Sequence, residues 1–292
     1  QKIINVPQGA SFDIEYDNGG NDGLKYCYMR AFIDLNGDGK KDEEDFYGLI
    51  TSPYISTDPY WASCDLSLVE KNADGEYEYV LDTARLSDMT DKVLKLFYES
   101  GTLVYPHTGA DAEQDDIRIA FARGDGAMCT TRLVAAEMSD IRNMEDAYGI
   151  VPMPKYEKAQ PKYGTLQHDQ FTVYAIPVTV KDDRYQMLGA VLEVMASESL
   201  RTVKPAYYEI ALKRKYMSDP VAWEMLDLIF DTVKIDAGIV YTASLGSPHD
   251  KLRQIITSKK NTVASKFKKM DKTVDKNLSK MLKKMDALEN QQ

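Results

Sequence analysis

The chain has 292 residues, 43% of them hydrophobic and 28% charged, which fits a soluble globular protein of one large or two ordinary domains. No apolar run approaches the roughly 18 residues that a membrane span requires. The net charge of −10 is uneven: from Lys251 onward 12 basic residues face 4 acidic ones, a surplus of +8, against 24 basic and 42 acidic residues, or −18, before it.

Residues 1–23 end in the turn-rich YDNGGNDG and contain one alternating stretch, SFDIEY, that predicts a single strand. Gln1 stands in place of Met and no signal-peptide pattern follows it, which suggests a trimmed or mature chain. LKYCYMRAFI (24–33) is a short helix candidate. Then comes DLNGDGKKDEED (34–45), with side-chain oxygens at its first, third, fifth, ninth and twelfth positions and Gly39 at the sixth. Ca²⁺ takes several oxygens at once, and a loop of this spacing delivers them if it turns sharply at the glycine. Asp34, Asn36 and Asp38 supply the first oxygens, Lys40 its backbone carbonyl, Asp42 a direct or water-mediated contact, and Asp45 closes the loop. Asp45 replaces the long Glu of sensor loops, and the residues after it are β-rich, so the site reads as a structural clip rather than a switch. Without a sensor architecture, a calcium loop favours the outside of the cell.

DFYGLI (45–50) and YEYVLD (77–82) predict strands, separated by the aromatic loop SPYISTDPYWASCD (52–65). Ser87 is the expected cap of a helix over 88–100, with Val93, Leu94, Leu96 and Phe97 on one face and Gly101 at C′. DDIRIAFARG reads as a helix ended by Gly124, GAMCTT (126–131) as a short buried strand, and Thr131 as the start of a helical stretch to about Met144. YGIVPMP (148–154) and FTVYAIPV (171–178) predict two further strands on either side of a polar loop. Helices are expected over 183–199, from Pro205 through AYYEIALKRKY, and from Asp219-Pro220 through VAWEMLDLIFDTV, where Trp223 reads as core. In the basic tail, Val263, Phe267, Met270, Val274, Leu278, Met281, Met285 and Leu288 recur at spacings of three and four, the stripe of a packed amphipathic helix rather than a nucleic-acid or membrane surface. Strands and helices mixed throughout indicate an α/β chain.

Three cysteines (Cys27, Cys64, Cys129) and three histidines, with no CxxC, make a zinc or redox site a poor fit, and the odd count argues against a disulfide framework. GxSxG, Walker and HExxH motifs are absent, so an enzyme is not expected.

FARGDGAM (121–128), YGIVPMPKYEKAQPKY (148–163), VLEVMASESLRTVKPAYYEIALKRKYMSD and the closing VASKFKKMDKTVDKNLSKMLKKM together resemble, in order and spacing, the family 1 extracellular solute-binding proteins, the carbohydrate receptors of ABC importers. DLNGDGKKDEEDFYGL has its counterpart in the lipoprotein-like branch of that family. The resemblance implies a periplasmic-binding-protein-like fold of type II, two α/β lobes closing on a solute. It also implies that residues 24–154 and 243–292 form the second lobe, with the calcium loop 34–45, after an irregular segment 1–23. Residues 155–242 would belong to the first lobe, incomplete here because family members carry a further stretch before the calcium loop. A sugar or oligosaccharide, a membrane permease, a cell-surface lipid anchor in the full-length protein, a monomeric state and no nucleic acid complete what it implies.

Sugars stack on aromatic rings and bond to polar side chains. Tyr60 and Trp61 in a Pro-rich loop are stacking candidates, or they cover a strand edge. Tyr54 shares that loop. Thr131 and Arg132 follow the FARGDGAM strand, where a helix N-terminus beside the guanidinium could face the ligand or merely be capped. His168 and Asp169 could hold a hydroxyl or end a strand, and Tyr241 is a further platform candidate. The leading expectation is thus a calcium-stabilised solute receptor. The alternatives are a calcium-bearing carbohydrate-active enzyme or accessory domain, and a fragment that folds but binds no solute.

Overall fold

The computed structural model describes residues 32–33, 45–107, 112–168, 173–177, 179–208 and 220–289. The chain is mixed α/β, helix-rich with small sheets. At its centre β3 (Leu49–Thr51) runs parallel to β6 (Thr102–Val104), with Ile50 opposite Leu103. Residues 126–129, inside the predicted GAMCTT strand, run parallel along the other side of β3 and of β2 (Phe46–Tyr47). There the amide of Tyr47 donates to Asp125 at 2.9 Å, that of Ile50 to Met128 at 2.8 Å, and that of Thr130 to Ile50 at 3.1 Å.

Parallel neighbours require crossover helices, and two supply them. Between β3 and β6, after α1 (Pro59–Ser63) and the hairpin β4 (Val69–Lys71)–β5 (Tyr77–Tyr79), runs α2 (Thr83–Tyr98); α3 (Ala112–Arg123) follows β6. α3 ends at Gly124, whose φ of 91° is the left-handed C′ conformation expected of that glycine. α2 starts a turn earlier than its expected cap: Asp82, not Ser87, accepts the Arg85 amide at 2.9 Å. Ser87 instead receives Asn261 Nδ2 on its carbonyl at 3.0 Å and its hydroxyl at 3.1 Å, tying α2 to the C-terminal part. Leu86, Met89, Val93 and Phe97 bury the inner face of α2.

α3 packs on one sheet face through Ile117 and Ala120 against Ile50, Leu103 and Cys129. The larger cluster joins α1, α2, α9 (Pro248–Thr257) and α10 (Val263–Glu289), with Trp61, Phe97, Leu252, Ile255 and Phe267 at its centre. Leu103 and Val104 touch different clusters because successive strand residues point to opposite faces. The tail stripe docks as expected through Val263, Phe267, Val274 and Leu278, then outruns its partner: Met285 and Leu288 are exposed.

Several expectations are corrected. Phe32 and Ile33, the end of the candidate helix 24–33, form β1 and pair antiparallel with β2; residues 24–31 lie outside the described residues. YGIVPMP and the described part of FTVYAIPV form no strand, because no neighbouring strand pairs with them and Pro152, Pro154 and Pro177 each remove a donor. Thr165–Leu166 (β7) pairs instead with Val233–Lys234 (β8), in parallel. Close approach there requires Gly164, since a Cβ would stand 2.0 Å from the Ala62 carbonyl oxygen. A short α4 (Ser139–Arg142) follows the 3₁₀ turn Leu133–Glu137. α5 (Tyr185–Glu198) matches its expected position but buries none of its residues, and Trp223 in α6 (Pro220–Asp231) is 38% exposed rather than core. Residues 209–216 of the expected Pro205 helix lie outside the described residues. Two short helices, α7 (Ala237–Val240) and α8 (Thr242–Leu245), lead into α9.

Candidate functional site

An open parallel sheet sends its loops and helix N-termini to the carboxyl edge of its strands, where ligands of α/β proteins bind. Here three strand exits meet. β3 runs into Ser52, Pro53 and Tyr54; β6 runs into Tyr105, Pro106 and His107; the third strand runs into Thr130, Thr131 and Arg132.

Asp58, which precedes α1, is 3% exposed and lies against Arg253 of α9. Arg253 Nε donates to its Oδ1 at 2.9 Å, Nη2 to its Oδ2, and Nη1 to Asp250 Oδ1 at 2.8 Å. A two-pronged guanidinium–carboxylate contact of this kind is the strongest ion-pair geometry available to side chains. Burial pushes the Asp58 carboxyl up, against the pull of the guanidinium, and Asp58 and Asp250 in turn push Arg253 up. The guanidinium also lies 4.7 Å from the centre of the Tyr54 ring, and the Tyr54 hydroxyl reaches Asp250 Oδ1 at 3.4 Å. His107 stacks on Tyr54 with ring centres 3.8 Å apart and planes 11° apart. Its Nδ1 is 2.8 Å from Oε1 of Glu113, in the first turn of α3, a carboxylate with no exposed surface.

The other two histidines converge on the same place. His168 Nε2 is 3.9 Å from Asp58 Oδ2. His249, in the first turn of α9, is buried, and its ring meets Trp61 edge-on at 5.2 Å. Burial, with the charges of Arg253 and His168, pushes its imidazole down to about 3. The unfolded chain therefore takes up a proton near pH 6.5 that the folded chain refuses. Stability should fall as the pH drops below 6.5, by up to about 1.4 kcal/mol per pH unit. Urea midpoints between pH 7 and pH 4.5 check this: His249→Phe should flatten the decline, and an unchanged slope would assign the effect elsewhere.

Polar groups at the edge are only partly satisfied. Among the described residues Thr51 Oγ1 and Ser52 Oγ at the end of β3, and Glu113 Oε2, are buried without a hydrogen-bond partner. Buried polar atoms are usually paired in folded proteins, and an ordered water is the ordinary partner of such groups. Neither described cysteine offers a nucleophile: burial pushes the thiols of Cys64 and Cys129 up to about 11 and about 12, so both stay protonated at neutral pH.

The sequence candidates divide. Trp61 is fully buried and Tyr60 6% exposed, both in the main cluster. The stretch holding them is not an open loop but a 3₁₀ turn (Ile55–Thr57) and α1, which turn both rings inward, so neither is a stacking platform. Thr131 is exposed and Arg132 half-buried at the third strand exit. They lead into a five-residue 3₁₀ turn with no side-chain cap, not into the N-terminus of a full helix. His168 joins the cluster; Asp169 and the calcium residues Asp34, Asn36, Asp38, Lys40 and Asp42 lie outside the described residues. Tyr241 is 39% exposed and lines a small cavity of about 70 Å³ against Leu278, Met281 and Met285 of α10, sharing no residue with the carboxyl edge. A larger cleft of about 450 Å³, between the β4–β5 hairpin and β8, is lined by Glu70, Lys71, Tyr77, Lys234 and Ile235 and is likewise separate. His107, Glu113, Asp250 and Arg253 were not legible as a site, since nothing in their spacing links positions so far apart.

Of the calcium residues, Asp45 is 2% exposed. Ile33 pairs with Phe46, so the two ends of the 34–45 segment are held side by side, as a loop must be if its first and twelfth residues are to share one ion. The described residues fit a calcium loop to that extent. Comparison with protein-family models, with curated proteins and with solved structures finds no match for this chain.

Proposed function

We propose that the chain is the solute-binding part of an extracellular receptor that captures a sugar or oligosaccharide and passes it to a membrane importer. The observation that carries this reading is the meeting of three strand exits around Tyr54, His107 and the Asp58–Arg253 pair, with unpaired buried hydroxyls at Thr51 and Ser52. Such an edge sets fixed polar groups around the partly exposed His107 ring, the kind of polar contacts that sugar hydroxyls take. In a two-lobe arrangement of type II this edge would be one wall of the cleft. Residues 155–242 would contribute to the other lobe, where α5 leaves Met187, Val191, Val194 and Met195 exposed. Calorimetry with maltotriose, cellotriose, xylotriose and mannotriose tests the reading. It expects a single site for at least one trisaccharide, and no heat from any of them with a folded chain would end it.

Ca²⁺ held by the 34–45 segment would serve as a clip at the start of β2, with oxygens from Asp34, Asn36, Asp38, Lys40, Asp42 and Asp45. A metal that binds only the folded chain at 100 times its Kd stabilises it by about 2.7 kcal/mol. EDTA should therefore lower Tm by several degrees and added CaCl2 restore it, and overlapping melting curves would exclude the clip.

A further inference from the structure

We propose, on the carboxyl-edge reading above, that His107 touches the solute, accepting a hydroxyl hydrogen bond at Nε2 from a neutral sugar, while Glu113 and Tyr54 are positioning residues. Two independent restraints fix this ring. The stack on Tyr54 sets its plane, and the 2.8 Å contact from Nδ1 to Glu113 sets its rotation within that plane. Tyr54 is itself held, by the Arg253 guanidinium beside its ring and by Asp250 at its hydroxyl. A ring held in both senses presents its remaining nitrogen in one direction without an ordering cost on binding.

Chemistry then selects the partner. When one nitrogen of a neutral imidazole carries its proton toward a carboxylate, the other holds the lone pair and accepts. Among the described residues Nε2 has no hydrogen bond, and the side chain keeps 28% of its surface exposed, so a solute hydroxyl can reach it. Charge favours a neutral solute: the Arg253 guanidinium is already committed to Asp58 and Asp250.

Glutamine and asparagine separate the proposed role from a structural one. The amide of His107→Gln reaches the place of Nε2, whereas that of His107→Asn reaches only the place of Nδ1, beside Glu113. Calorimetry with the same four trisaccharides should show affinity kept within about threefold in His107→Gln and lost about tenfold in His107→Asn and His107→Ala, the loss of one hydrogen bond. The reverse order, Asn keeping affinity and Gln losing it, would make His107 a brace for α3 and overturn the proposal while leaving the receptor reading intact. Tighter binding of trigalacturonate than of any neutral trisaccharide would overturn it as well. If no trisaccharide binds the wild-type chain, the receptor reading fails and the proposal with it. Should the variants not fold, ¹⁵N spectra of the wild-type histidines decide. A solute-induced shift at His107 Nε2 supports the contact, and an unmoved resonance in a saturated complex refutes it.

Discussion

Asp58→Ala is expected to destabilise the chain by about 3 kcal/mol, because it removes the two-pronged partner of a mostly buried Arg253 guanidinium and leaves it with the half-exposed Asp250. Asp58 Oδ1 and Oδ2 both accept from Arg253, and their side chains are 5% and 16% exposed, so water cannot replace the lost partner cheaply. Arg253→Ala should cost a similar amount. The double replacement Asp58→Leu with Arg253→Met should cost less than the two single losses added together, since it removes both charges at once. Urea unfolding of the four proteins measures this. Single costs below about 1 kcal/mol that simply add would show the pair to behave like an exposed one. The same variants loosen the site, because Arg253 is what braces Tyr54 and, through it, His107.

Trp61→Ala should cost about 3–5 kcal/mol, the usual penalty for emptying a core position of an aromatic ring. The ring is completely buried in the cluster that joins α1 to α10, edge-on to His249 and 6.4 Å from Phe267. This result separates two roles for the same residue. A core tryptophan loses stability and takes trisaccharide affinity down only as the fold loosens. A stacking platform would keep its melting temperature and lose affinity alone, and that outcome would contradict the packing described here.

Local rules carried much of the fold. α3 and its stop at Gly124 were legible because a helical run followed by a left-handed glycine is a signal contained within a few residues. The α10 stripe was legible for the same reason over its first four turns, where Val263, Phe267 and Val274 find α2 and β5. Strand expectations failed where partners were needed: FTVYAIPV has the apolar run of a buried strand, yet a run becomes a strand only when neighbours pair with it. Val173 and Tyr174 stand 68% and 73% exposed instead.

The site was less legible than the fold, for a physical reason. Trp61 looked like a surface platform because its Pro-rich surroundings suggest a loop, but Pro59 is the first residue of α1, where its fixed φ and missing amide suit a helix start. His107 carried no local signal at all. Its role depends on Tyr54 and Glu113, brought to it by a parallel register between β3 and β6 that no short pattern encodes. The cluster between Asp58 and Arg253 spans 195 positions of sequence. Contacts of that separation belong to topology, which periodicity does not report.

The most direct test of the central claim, that a neutral sugar binds at the carboxyl edge of the three parallel strands, is a set of amide ¹H–¹⁵N spectra recorded as the tightest-binding trisaccharide is added. Shifts are expected at Thr51, Ser52, Tyr54, His107 and Thr131, with Glu70, Lys71, Lys234 and Ile235 unmoved. Shifts confined to the second group would place the solute in the cleft between the β4–β5 hairpin and β8, and would contradict it.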